Sequence, residues 1–351
     1  SKISLELFHE DNFDFYSRFY QPLINNRIHT IINISWSNIL DEFRAEIEKL
    51  IEENDHVHRD LKRYVWSEDA LDNPTSLKEA LSSNKRTHRL LMKVSGYSPS
   101  IVELCDKIDE SLELLFNELK QYLCGSLDVI ELKKMKESDS VDHQKLVQFL
   151  RDCSCENISK LITIVKSSLQ AKTPENCILM ARLLQSFSEL CPNLQLCFSG
   201  HLLMEPSFLR DPTKNTDGDE EWKRVSDLFI EESTAFWQLW LTAFVEQWKP
   251  LDSKVDLFFI LKDFPSWETV VITEKDENEE TVESEIFVPL GISTSIQNWI
   301  FSIVSNLNRI IPHTLPKSIH LQIVSHLTTQ LLEHYEKLSK SEFANENQKA
   351  A

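Results

Sequence analysis

Five glycines in 351 residues constrain this chain more than any other feature of its sequence. Average usage is about 7%. Dinucleotide-binding α/β folds and β-barrels need glycine at tight turns and where backbone approaches a ligand or a neighbouring strand, so both are disfavoured. A hydrophobic fraction of 41% with 26% charged residues is that of a folded chain rather than a disordered one. At about 100–200 residues per domain, the length fits two or three domains or one elongated helical array. A mostly helical protein is the expectation.

Charge narrows the partners. Lys and Arg number 37 against 56 Asp and Glu, a net −19, which repels nucleic-acid phosphates and anionic lipid surfaces. The basic clusters Lys85, Arg86, Arg89 and Lys133, Lys134, Lys136 read as solvated charge. Seven cysteines at irregular spacing, most within apolar periodic stretches, read as reduced core thiols of a chain facing the cytosol. No secretory leader opens the sequence, and the absent initiator Met reads as an internal fragment or a processed start. The longest uncharged run, Ile286 to Asn308, is broken by Pro289, Gly291 and many polar residues, and so is not a membrane span.

Helical periodicity recurs along the chain. Phe43, Ile47, Leu50 and Ile51 share one face, as do Ile101, Leu104, Cys105, Ile108, Leu112, Leu115 and Leu119. Ser100 with Glu103, and Ser76 with Glu79, have capping-box spacing. Ile158, Leu161, Ile162, Val165 and Leu169 form a further stripe; Thr173-Pro174 then opens a helix carrying Ala181, Leu184, Phe187 and Leu190, stopped by Pro192. Residues 201–221 are polar and rich in breakers. Two alternating runs around Trp267–Ile272 and Val282–Val288, separated by an acidic tip, predict a β-hairpin. Helices resume with Ile296, Ile300, Ile303, Val304 and Leu307, then after Pro316 with Ile319, Ile323, Leu327, Leu331, Tyr335 and Leu338. The expected fold is all-α, an elongated rod of consecutive helical bundles with one small inserted β-hairpin. Helical bundles would fill residues 1–200, a hinge-like connection 201–221, and a bundle with the hairpin at about 267–289 would fill 222–339, leaving 340–351 as a frayed tail.

Catalytic equipment is not legible. No phosphate-binding loop, glycine fingerprint or nucleophile elbow occurs. His9-Glu10 lacks the second His of a zinc-protease helix, and His56 with His58 point apart on a helix. Cys153 and Cys155 read as core thiols rather than metal ligands. The acidic tip lacks the spacing of a calcium loop. A site assembled from distant residues such as His313 and His320 is the remaining enzymatic reading, and nothing points to a pocket around them. No cofactor, metal or catalytic residue is assigned. Two surfaces are candidate partner-binding sites: the aromatic helix face of Trp237, Trp240, Phe244 and Trp248, for which core packing is the favoured reading, and the hairpin tip with Glu277, Glu279 and Glu280.

Three passages carry a resemblance. These are Arg182 to Leu194 with its Leu-Cys-Pro helix end, the hairpin from Trp267 to Pro289, and His313 to Lys317 with the helix that ends Tyr335-Glu-Lys-Leu-Ser339. Together they resemble the subunit 1 family of the conserved oligomeric Golgi complex, most firmly over residues 158–339 and only in general helical character over 1–150. The resemblance implies a non-enzymatic helical scaffold of the type called complexes associated with tethering containing helical rods. It implies a peripheral place on the cytosolic face of the Golgi membrane, in retrograde intra-Golgi transport on which glycosylation depends. Subunits 2, 3, 4 and 8 would be its partners, with Golgi SNAREs, Rab GTPases and vesicle coats as further contacts. The alternative is an interaction module of another such tether, for instance exocyst. The markers are structural, so no site residue carries over from the family.

Overall fold

Long runs without glycine or interior proline, apolar every third or fourth residue, leave the backbone little choice but α-helix. A computed structural model describes residues 16–52, 61–67, 89–124, 140–168, 173–199, 217–248, 266–275, 281–311 and 313–340. A π-helical turn, Tyr16–Tyr20, leads into α1 (Gln21–Glu52). Then come α2 (Leu61–Val65), α3 (Arg89–Ser95), α4 (Pro99–Cys124), α5 (Ser140–Ser167), α6 (Pro174–Leu190), α7 (Pro192–Ser199) and α8 (Asp217–Gln247). Strands β1 (Trp267–Lys275) and β2 (Thr281–Pro289) precede α9 (Thr294–Ile310) and α10 (Lys317–Lys340). The all-α fold with an inserted hairpin is as expected.

The chain forms two units, Ser1–His58 with Asp69–Trp237, and Arg59–Glu68 with Gln238–Ala351. The division falls within α8. Of the expected connection, residues 201–216 lie outside the described residues, whereas 217–221 are helical. The physical reason is twofold. Carboxylates such as Glu220 and Glu221 suit the positive end of a helix. Gly218 also lets α8 begin hard against α7: a Cβ there would lie 1.9 Å from the Phe198 carbonyl oxygen.

In the first unit α1 packs against α4 and α5, α4 against α6, and α7 against both α4 and α5. Ile28, Ile32, Trp36, Ile39, Phe43 and Ile47 of α1 are buried, so its core face extends four turns before the stretch legible from periodicity. All seven residues of the Ile101–Leu119 stripe are buried. Thr173 caps α6 as expected, accepting the Asn176 N–H. Pro192 both ends α6 and starts α7.

The start of α4 differs from the expectation. Its N-cap is Ser98, whose Oγ accepts the Ile101 N–H, with Pro99 as the first helical residue. Proline fits that position because its missing N–H is not needed there. Glu103 therefore does not complete a capping box; it lies 3.3 Å from Lys107. The other capping pair, Ser76 with Glu79, lies outside the described residues. Gly96, at φ 75°, supplies the left-handed residue that ends α3. Its N–H donates to the Lys93 carbonyl and that of Tyr97 to the Met92 carbonyl, a Schellman closure that turns Tyr97 inward.

In the second unit α2 packs on α9, and Gln238 on α8 donates to Gln322 on α10. The hairpin pairs antiparallel in unbroken register from Trp267↔Pro289 to Lys275↔Thr281. Burial is thinner here than the periodicity led us to expect: Ile296, Ile303, Ile319 and Ile323 are interior, but Ile300 and Val304 are exposed.

Candidate functional site

The aromatic face of α8 follows the helical spacing of the sequence. Trp237 and Trp240 are each only 2% exposed, Phe244 is buried and Trp248 half-buried. The Trp240 and Phe244 rings stack with centroids 5.0 Å apart. Within the first unit the Arg182 guanidinium sits 5.8 Å from the centre of the Trp237 ring, an arrangement in which the ring face attracts the cation. Trp237, Trp240 and Phe244 are interior packing, and only Trp248 at the end of this face is part-exposed. Glu277, Glu279 and Glu280 lie outside the described residues.

Polar chemistry in the first unit is internal. The Tyr97 hydroxyl donates to the Glu189 carboxylate at 2.6 Å. Burial, then that hydrogen bond, hold its pKa well above the usual tyrosine range. Burial pushes Arg182 down to about 9. These shifts have opposite signs in stability. A raised tyrosine pKa gives stability that is complete below the unfolded value of 10.0 and lost above it. A lowered arginine pKa makes the fold gain stability as pH rises beyond 9 towards the unfolded value of 12.5. Comparison with Tyr97→Phe isolates the tyrosine. The advantage of the parent over this variant should shrink by about 1.4 kcal/mol per pH unit above 10. Urea midpoints of the first unit's own transition at pH 8 and pH 11 measure it; an unchanged difference would mean Tyr97 ionises freely in the fold.

On α4, the buried Asp109 carboxylate accepts the backbone N–H of Asn193 at 2.8 Å and its side-chain amide, while the same amide donates to the Asp109 carbonyl at 3.0 Å. A carboxylate thus meets the N-terminus of α7, where unsatisfied N–H groups point outward.

None of this is reactive equipment. Burial pushes the Cys197 thiol up to about 12 and also raises Cys153. Thiols held protonated are poor nucleophiles and poor metal ligands. Cys155 is exposed, and its thiol too is raised by partial burial and by Glu221 and Asp152. Among the described residues no cluster of His, Cys, Asp and Glu has the makings of a metal site, and no helix is long and apolar enough to cross a membrane. His313 adopts φ 54° and meets Trp66 edge-on at 5.7 Å; His320 is exposed. His9, His56 and His58 lie outside the described residues. An open groove of about 690 Å³ runs between α1 and α5. Its charges are interleaved and paired along each helix, Arg44 with Asp41 and Lys160 with Glu156, so it converges no set of like groups on a ligand.

The surface that stands out is in the second unit. Every described side chain of β2 is exposed, Phe287 to 67%. Val270, Val271, Ile286 and Val288 are exposed with it, as are Ile300, Phe301 and Val304 on α9. Periodicity missed the α9 residues because it assigned Ile300 and Val304 to a core stripe. The signal was the adjacent Trp299, Ile300 and Phe301, which put apolar groups on more than one helix face. Exposed apolar side chains are thus present on the hairpin and on α9.

No protein-family profile and no solved structure matches the chain. Curated relatives do. The chain is 29% identical over 344 residues to conserved oligomeric Golgi complex subunit 1 of Drosophila melanogaster, covering 96% of this chain and 36% of the relative. Against the subunit of the same name from Homo sapiens it is 23% identical over 380 residues, covering 93% and 38%. The Mus musculus subunit is 24% identical, with the same coverage, 93% and 38%. The likeness therefore extends into the N-terminal half, where the sequence markers did not carry it. The chain spans little more than a third of the length of these relatives.

Proposed function

We propose, from its likeness to conserved oligomeric Golgi complex subunit 1 over 96% of its length, that this chain is a helical scaffold segment of a Golgi tethering complex. It has no enzymatic role in this reading. It works on the cytosolic face of the Golgi as a peripheral component, supporting retrograde intra-Golgi transport, Golgi organisation and the glycosylation that depends on them. Its partners are other subunits of that complex, with 2, 3, 4 and 8 the first to test, and SNAREs, Rab GTPases and vesicle coats as further contacts. Support comes from the relatives' shared name and from the character of the chain: paired or buried polar groups and exposed apolar surface. The three relatives share one complex, and nothing favours exocyst or another tether.

Size-exclusion chromatography of the chain with recombinant subunits 2–4, and separately with subunits 5–8, tests this. Co-elution with at least one group is the expected result. Failure with both would overturn the segment's role in assembly.

A further inference from the structure

The hairpin is a two-stranded sheet of nine residues per strand, with no third strand among the described residues. Such a hairpin is marginal by itself in water. Proteins usually guard exposed edges with lysine, proline or a bulge. Strand β2 has no lysine, its only proline is its last residue, and its register is unbroken.

We propose that the free edge of β2 accepts an extended, cationic segment of a partner protein as a third strand. The inference rests on the hairpin alone and does not depend on the tether reading. Opposed residues in an antiparallel pair share a face. One face therefore carries Val270, Ile286 and Val288, with Glu268 and Glu274 on the β1 side, and the other Thr269, Val271, Phe287, Glu283 and Glu285. Along the β2 edge itself Ile286 and Val288 lie on one face and Glu283 and Glu285 on the other. A strand laid beside β2 makes main-chain hydrogen bonds for affinity and reads alternate side chains for specificity. Its apolar side chains would lie beside Ile286 and Val288, and its basic ones beside Glu283 and Glu285.

Charge selects the occupant. Residues 267–289 hold eight carboxylates and one lysine. A second copy would set acid against acid, in a chain of net charge −19. Anionic lipid and nucleic acid are repelled likewise. An alternating basic and apolar strand satisfies the edge, the apolar face and the charge together.

The test uses the whole chain and a fluorescent peptide of strand length alternating isoleucine with lysine, read by anisotropy. A peptide of the same composition with its lysines in one block should bind at least about tenfold more weakly, because it cannot place charge and apolar groups on separate faces. Two further versions carry N-methyl groups on the odd or on the even amides. Only one set of amides faces β2, so only one version should lose binding. Glu283→Lys with Glu285→Lys should abolish binding of the lysine peptide and admit one alternating isoleucine with glutamate. Equal binding of the block peptide, equal behaviour of the two N-methylated versions, or no binding of the alternating peptide would overturn the proposal. So would a charge-reversed, folded chain that still prefers lysine. Should that variant lose its helical circular dichroism, the N-methylated pair on the unaltered chain decides.

Discussion

Phe187→Ala is expected to destabilise the first unit by about 3–5 kcal/mol, the usual range for truncating a fully buried phenylalanine. Phe187 on α6 is wholly buried. Its ring meets Phe43 of α1 edge-on at 5.8 Å and Phe229 of α8 at 5.4 Å. One side chain thus joins three helices, and its removal leaves a cavity that none of them fills without moving the others. Aromatic pair geometry adds about 0.5–1.5 kcal/mol per pair to the area buried. In a chain with two units a single global unfolding energy is poorly defined. Native-state hydrogen exchange on peptides of α1, α6 and α8 is therefore the suitable measurement. Protection should fall together in all three helices. A loss confined to α6 would show that Phe187 fills space without coupling its neighbours.

Asp109→Ala is expected to cost about 3 kcal/mol or more, although it removes few atoms. The loss comes from what remains: the Asn193 N–H, directed at the absent carboxylate, and a side-chain amide left with the Asp109 carbonyl alone. A buried donor without its partner costs about 1–3 kcal/mol, and breaking an interaction with a buried charge costs more. Asp109→Asn separates shape from charge. It preserves the volume but sets an amide among donors, so it should recover only part of the loss. A double-mutant cycle with Asn193→Ala should return a coupling well above 0.5 kcal/mol. Near-additivity would mean that the start of α7 is held by its apolar contacts instead. Faster exchange should centre on α7 and the part of α4 around Asp109.

Much of the fold was legible because it is local. The Ile101–Leu119 stripe, the Thr173 cap and the paired alternations of the hairpin each depend on residues a few positions apart, and the structure has all three. The α4 cap was misread for a local reason too: Ser100 was weighed by its spacing to Glu103, while Pro99 already marked the first helical residue. The candidate surfaces were less legible. The same spacing that put Trp237, Trp240 and Phe244 on one face fits a buried stripe and an open groove equally well. The sequence reading favoured the first, and burial of all three rings agrees.

By itself, then, the sequence determined the helical class, the hairpin and its acidic character, because backbone propensity and side-chain period act within a few residues. Only the tertiary structure decided which apolar faces are covered. It closed Trp237 and Phe244, left Phe287 and Phe301 exposed, and grouped Arg59–Glu68 with a unit distant in sequence. It also brought the start of α8 against the Phe198 carbonyl, turning an apparent loop glycine into a close-packed helical one. Periodicity states that a face is apolar; whether water or another helix lies opposite depends on contacts between distant residues, which no local pattern encodes.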